Sequence, residues 1–331
     1  MLRAVTAAER FDDLYARRRG SYAKDPSGER FLGELNEYLA PRELELYEER
    51  ELEHAFVFVL GLPRSGTTLL SQLLAYCLDA GYVNNFAARF WRAPVHGIRL
   101  ARLIGAGAEP PSFESDYART KSLLDIHEWG YFWRFWLEKH SFDDVVHARE
   151  REDELDWAGL RLALANVQHE FGKPFVAKNM LGAYHLPRLR RELGPVLYVL
   201  IERDELDAAV SILDARRKYY DDPRAWWSYI PPEYPRLKDL DAWEQVAGQV
   251  HYLARFYERA LGEVGDDAVV RVTYERLAKE PRAVLAEVAG RAGASIRQEP
   301  PAEFPFRVHA DRTEEKDRFA RLLDRLRTED P

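Results

Sequence analysis

The chain has 331 residues, of which 46% are hydrophobic and 31% charged, a balance that excludes intrinsic disorder and allows a large buried core. Its formal net charge of −8 gives no electrostatic footprint for nucleic acid or for an anionic membrane surface. A local cluster of amides and arginines still binds a small anion whatever the global sum, and one cysteine, Cys77, excludes an intrachain disulfide.

The N-terminal residues are broken by charges and carry no apolar stretch of signal-peptide length. No segment approaches the ~20 apolar residues that cross a bilayer, so the expected location is the cytoplasm. Residues 1–54, rich in Glu and Arg with leucines and tyrosines at helical spacing, predict helices. The continuous apolar run 55–60, AFVFVL, predicts a strand buried on both faces. A Gly/Pro turn follows, and the leucines of 67–79 repeat at helical spacing, with Cys77 read as a small core residue among them.

Residues 111–170 predict helical and irregular structure around an aromatic cluster, WGYFWRFW, at 129–136. Further strands are predicted at 174–178, 196–201 and 268–273, with a helix over 241–262 between the last two. Pro281 stands where the first turn of another helix accepts it. Asp311 and Glu314 predict an N-terminal capping pair for a final helix carrying Phe319, Leu322, Leu323 and Leu326. Buried strands alternating with helices imply a parallel sheet covered on both sides. The expected organisation is one α/β domain over 1–331: N-terminal helices (1–54), a phosphate-loop unit (55–110), a helical insertion (111–170), the remaining sheet (171–292) and a tail helix (293–331).

Gly61-Leu62-Pro63-Arg64-Ser65-Gly66-Thr67-Thr68 joins the first strand to its helix. Glycines let the backbone approach an anion, and free N–H groups at the helix start point towards it. Gly61 and Gly66 have the spacing of a nucleotide-phosphate loop, but Thr67 stands where such a loop carries lysine. That argues against a nucleotide kinase or hydrolase. Arg64 supplies a cation within the loop instead, placed for a shorter anionic group such as a 5′-phosphosulfate.

At these residues the sequence resembles the sulfotransferases that use 3′-phosphoadenosine 5′-phosphosulfate (PAPS), whose loop reads P-[KR]-S-G-T-T. Pro63 to Thr68 match it throughout, in the arginine form similar to tyrosylprotein and many bacterial sulfotransferases. The resemblance implies a P-loop-NTPase-like three-layer αβα fold with a central parallel sheet and helical insertions. It implies that Pro63, Arg64, Ser65, Gly66, Thr67 and Thr68 hold the 5′-phosphosulfate. The second family signature is an arginine at a strand end and a serine eight residues on, both on the 3′-phosphate. Arg203 and Ser211 fit it. An arginine fork at the carboxyl edge of an open sheet suits a phosphate. Phe175-Val176-Ala177-Lys178-Asn179 resembles a strand end whose lysine lies near the sulfuryl group, and residues 270–281, VRVTYERLAKEP, resemble a further stretch with Tyr274, Glu275 and Leu277 retained.

In-line transfer through a loose transition state asks for alignment and fixed positive potential on the leaving oxygen, which falls to Arg64, the loop amides and Lys178. The expected product is adenosine 3′,5′-bisphosphate, with no metal required. A hydroxyl acceptor also needs a base. In the arginine-loop relatives a glutamate past the loop serves, but the corresponding stretch here, Tyr82-Val83-Asn84-Asn85-Phe86, has no carboxylate or histidine. His127 is the preferred candidate for its ordinary pKa of about 6.5, with Glu128 beside it and Glu114 and Asp116 upstream. His185 is expected to face solvent. A C-terminal glycine-rich loop found in the cytosolic relatives is absent, with Arg307 or Arg312 as candidate substitutes. The expected acceptor is a carbohydrate, lipid or other small-molecule hydroxyl, for which Trp129, Tyr131, Trp133, Trp136, Trp226, Trp227 and Tyr229 offer stacking surface or core. A catalytically inactive nucleotide-binding protein remains the reading from another class, and the oligomeric state is left open.

Overall fold

The computed structural model describes residues 9–105, 113, 120, 122–178, 180–304 and 311–330. Its centre is a sheet of five strands: β1 (Phe56–Leu60), β2 (Gly81–Tyr82), β3 (Phe175–Lys178), β4 (Val196–Glu202) and β5 (Val269–Thr273). They lie in the order β2-β3-β1-β4-β5, every adjacent pair parallel. The four longer strands fall within one residue of the runs predicted from apolar continuity. The two-residue β2 is too short to leave a periodic signal.

β1 is buried along its whole length because helices cover both faces. Side chains alternate across a strand, and the core divides accordingly. Phe56, Phe58 and Leu60 face one apolar cluster, where Phe58 packs against Trp133 and Tyr198 with ring centroids 6.0 and 5.9 Å apart. Val57 and Val59 face the other, built from Leu70, Leu73, Val284 and Leu285. The result is a three-layer αβα fold.

The helix after β1 runs Thr67–Cys77 and stops before the predicted 79, because Leu78 turns extended and bridges Ile296. Cys77 is fully buried, and burial pushes its thiol up to about 11. Helices Phe11–Ala16 and Pro26–Leu44 occupy the N-terminal region, but 45–54 is irregular, held by Asn166, whose Oδ1 accepts from the Glu48 N–H at 3.1 Å. Helix Pro94–Gly105 completes the phosphate-loop unit. The insertion carries helices Gly130–Trp136, Phe142–Val146 and Trp157–Phe171. Helix Glu205–Tyr220 follows β4, Ala242–Val264 precedes β5, and Pro281 opens Pro281–Ala292 as expected.

The tail helix Thr313–Glu329 forms, but not with the predicted cap. Its N-cap is Arg312, whose guanidinium pairs with Asp214 of helix Glu205–Tyr220 at 3.0 Å and with Glu315. Docking to a neighbouring helix, absent from any local pattern, sets this helix start in place of the Asp311–Glu314 pair. No helix among the described residues is long and apolar enough to cross a membrane.

Candidate active site

Parallel strands bring all their carboxyl ends to one edge, so the loop after β1, Lys178 at the end of β3, Arg203 after β4 and Tyr274 after β5 converge there. The loop has room for nothing larger than glycine at two points. A Cβ on Gly61 would stand 2.5 Å from the Ile201 carbonyl oxygen. One on Gly66, whose φ is +104°, would stand 2.7 Å from the Tyr274 ring. The Ser65 hydroxyl is buried with no hydrogen-bond partner among the described residues, and Gly66 offers the helix start no side-chain cap. The first N–H groups of an eleven-residue helix thus stay available to an anion, reinforced by the helix dipole. Arg64 has φ +70°, a conformation that costs a non-glycine residue about 1–3 kcal/mol and clusters at functional sites.

The two predicted anion-binding sets touch. Arg64 Nε donates to Ser211 Oγ at 2.9 Å, and Arg203 Nη1 donates to the Arg64 carbonyl at 3.0 Å. Ser211 is buried on the helix that Arg203 precedes, and the Arg203 guanidinium lies over the Tyr274 ring, 4.6 Å from its centroid. Lys178 pairs in register with Val59, which sets it beside the loop. Its ammonium is largely buried, donates to Thr68 Oγ1 at 2.9 Å and forms an ion pair with Glu128.

His127 and Glu128 reach this edge through local pairing. The His127 N–H donates to the Val83 carbonyl and the Asn85 N–H to the Asp125 carbonyl, both at 2.9 Å, with Asn84 bridging Ile126 antiparallel. The stretch that lacks a carboxylate, 82–86, therefore lies alongside the segment that carries one. The Trp129 N–H donates to His127 Nδ1 at 2.8 Å. A neutral ring with Nδ1 accepting keeps its proton on Nε2. The ring lines an open surface, yet the body of the protein surrounds it. That desolvation lowers its pKa to about 4, opposed by Glu128 and aided by Lys178, Lys24 and Arg89. His127 is thus a neutral hydrogen-bond donor near pH 7.

One expectation changes. His185 does not face solvent: it is fully buried in the turn Gly182–His185, its Nδ1 2.8 Å from Glu152 Oε1 and its ring edge-on to Trp157. Burial lowers its pKa against the pull of Glu152. Trp129, Trp133, Trp226, Trp227 and Tyr229 are buried as core, while Tyr131 and Trp136 are partly exposed. Arg312 is engaged with Asp214 and Glu315. Glu114, Asp116, Asn179 and Arg307 lie outside the described residues.

Three partners escaped the sequence reading. Tyr257 donates to the Gly61 carbonyl at 3.3 Å, Asp207 lies 3.7 Å from Arg203, and Lys316 lies 2.6 Å from Asp207. The four-residue spacing of Arg203 and Asp207 was a readable signal. Nothing local marks Tyr257 or Lys316. Among the described residues, no group of three or more His, Cys, Asp or Glu side chains is arranged to hold a metal ion.

Sheet order, glycine-tight loop and an uncapped helix start define an αβα protein of the phosphate-loop class, with arginine inside the loop. Residues 56–298, well over half of the chain, match the profile of the Sulfotransferase family, and the chain belongs to that family of sulfate-transferring enzymes. It is similar to a sulfotransferase from Mycobacterium tuberculosis at 16% identity and TM-score 0.47, over 88% of this chain and 82% of that one. A sulfotransferase from Mycobacterium avium is 17% identical at TM-score 0.47, over 89% and 74%. Retinol dehydratase, solved with androsterone and the inactive cofactor PAP, is 14% identical at TM-score 0.31, over 88% and 68%. No curated protein sequence matches the chain.

Proposed function

We propose that the enzyme transfers the sulfuryl group of PAPS to a hydroxyl of a carbohydrate, lipid or other small-molecule acceptor, releasing adenosine 3′,5′-bisphosphate. The observation that carries this reading is the contact between the two cation sets, Arg64 to Ser211 at 2.9 Å and Arg203 to the Arg64 carbonyl at 3.0 Å. The 5′ and 3′ oxygens of an adenosine sit on one ribose, so residues serving both ends must be neighbours. Pro63 to Thr68 would hold the 5′-phosphosulfate through backbone N–H groups, the buried Ser65 hydroxyl and the Arg64 guanidinium. Arg203 and Ser211 would hold the 3′-phosphate.

Sulfuryl transfer forms an S–O bond to the acceptor as the bond to the leaving phosphate oxygen breaks. Arg64 and Lys178 would stabilise the charge that collects on that oxygen. The acceptor proton must go to a base, and the geometry favours Glu128. It joins Lys178 in an ion pair at the loop, on a segment laid against 82–86, where the relatives' glutamate would fall. His127, with its proton on Nε2, suits orienting the acceptor oxygen by donation, not removing its proton. Retention of the bisphosphate by a catalytically inactive protein is the competing reading. Calorimetry with adenosine 3′,5′-bisphosphate, with and without metal, tests the site. Transfer of labelled sulfate to a panel of hydroxyl acceptors tests the chemistry. Metal-free binding and transfer support the proposal; binding of ATP with Mg²⁺ in preference to the bisphosphate rejects it.

A further inference from the structure

The tail helix Thr313–Glu329 lies beyond the span matched by the family profile, yet it reaches Asp207, the acid beside the strand-end arginine. Asp207, one helical turn after Arg203, is buried and 3.7 Å from the guanidinium. A buried carboxylate in that position opposes a dianionic phosphate, because like charges at short range disfavour each other. Lys316 answers it: its ammonium stands 2.6 Å from Asp207 Oδ1.

The helix is anchored independently of this pair. Phe319 and Leu323 are buried, and Phe319 packs on Trp243 with centroids 4.8 Å apart. Arg312 binds Asp214 at 3.0 Å and Arg327 binds Glu205 at 2.6 Å, so further ion pairs tie the tail to helix Glu205–Tyr220. The Asp207 side chain is 4% exposed, against 23% for Asp214 and 30% for Glu205. The Asp207–Lys316 pair is therefore the most desolvated of the three, and its acid is shared with Arg203. Loss of Lys316 from this buried pair leaves Asp207 to draw on Arg203 instead.

We infer that Lys316 is a positioning residue for the 3′-phosphate end of the nucleotide, holding the charge of Asp207 so that Arg203 is released to the phosphate. This rests on the reading of Arg203 and Ser211 as 3′-phosphate ligands. With Lys316, the trio of Arg203, Asp207 and Lys316 carries one net positive charge; without it, none. Entry of the phosphate then transfers Arg203 from Asp207 to the ligand, with Lys316 keeping Asp207 neutralised.

The test is a thermodynamic cycle read by calorimetry on the full chain, with adenosine 3′,5′-bisphosphate and adenosine 5′-phosphate as probes. Lys316→Ala should weaken the bisphosphate about tenfold and the monophosphate less than about twofold, within the range of couplings between contacting charges. In an Asp207→Asn background the same substitution should have less than about a twofold effect on either probe, since the acid it compensates is gone. Lys316→Arg should retain most of the preference. Equal losses for both probes, or a full loss persisting in the Asp207→Asn background, overturn the inference. Thermal unfolding of each variant separates misfolding from lost selectivity; should Lys316→Ala not fold, the comparison of Lys316→Met with Lys316→Arg decides by the same ratio. Absence of bisphosphate preference in the unsubstituted protein rejects the 3′-phosphate reading itself, and this inference with it.

Discussion

The ammonium of Lys178 donates to the Thr68 hydroxyl at 2.9 Å, tying the end of β3 to the first turn of the loop helix while its other partner is Glu128. A cation from one strand, the glycine-tight turn from its neighbour and a carboxylate from the insertion are thereby joined.

Removing the loop cation should stop the chemistry without unfolding the protein. Arg64→Ala is expected to lower kcat by about 10²–10³, the usual effect of losing a donor aimed at developing charge. Its thermal midpoint should stay near that of the parent, since alanine keeps the Cβ and with it the same backbone strain at φ +70°. Labelled-sulfate turnover is the readout, and undiminished turnover removes Arg64 from the mechanism.

Glu128→Gln should lower kcat by about 10²–10⁴, as expected for loss of a general base. His127→Gln, which can still donate, should cost far less. The pH dependence of kcat in the parent should show no limb at the ordinary imidazole value of about 6.5. A limb there that disappears in His127→Gln would restore the histidine as base.

The same histidine should leave a mark on stability. Its folded pKa is lowered from 6.5 to about 4 by the desolvation that the protein around it imposes, so the unfolded chain takes up the proton first. Stability is therefore lost as pH falls from about 6.5 towards about 4, where unfolded chains bind more protons. Chemical denaturation across that window should show a shallower loss in His127→Gln; an identical slope in both proteins contradicts the assignment.

Gly66→Ala should be costly where most glycine substitutions are mild. The position needs φ +104° and leaves 2.7 Å to the Tyr274 ring, so the added methyl should destabilise the fold by about 1–3 kcal/mol. Nucleotide binding should fall with it, because the turn that presents the loop amides must shift. Calorimetric affinity equal to the parent's would show that the loop tolerates the change.

Arg203→Ala should act on one end of the donor. Binding of adenosine 3′,5′-bisphosphate should weaken by about 10²-fold, the scale of a lost charge-assisted contact, with adenosine 5′-phosphate little changed. An unaltered ratio between the two ligands argues that Arg203 does not meet the 3′-phosphate.

Much of this was legible in the chain. Strands such as 196–202 are continuous apolar runs because both faces of the sheet are covered, and that pattern survives in sequence. The loop was equally plain, since its glycines answer local steric demands at Gly61 and Gly66. What sequence reading missed depends on distant partners. His185 looked like a solvent-facing helix residue because Trp157 and Glu152, which cover it, lie elsewhere in the chain. The sequence favours His127 as base by its unperturbed pKa, whereas Glu128 is proposed from its place beside Lys178 at the loop. The Trp129 N–H that occupies Nδ1 is a feature of backbone geometry, with Trp129 itself at φ +54°. The tail helix was predicted from its leucines, but its attachment to Asp207 through Lys316 follows from packing that no local periodicity encodes.

The burial of Cys77 has a practical use. A chain with one thiol, raised to about 11 and sealed from solvent, is silent towards maleimides under mild conditions. It is therefore a ready background for site-directed probes. Cysteines introduced at exposed Leu103 and Arg321 would take a fluorophore pair cleanly. Energy transfer between them would then follow the tail helix in solution as nucleotide is added.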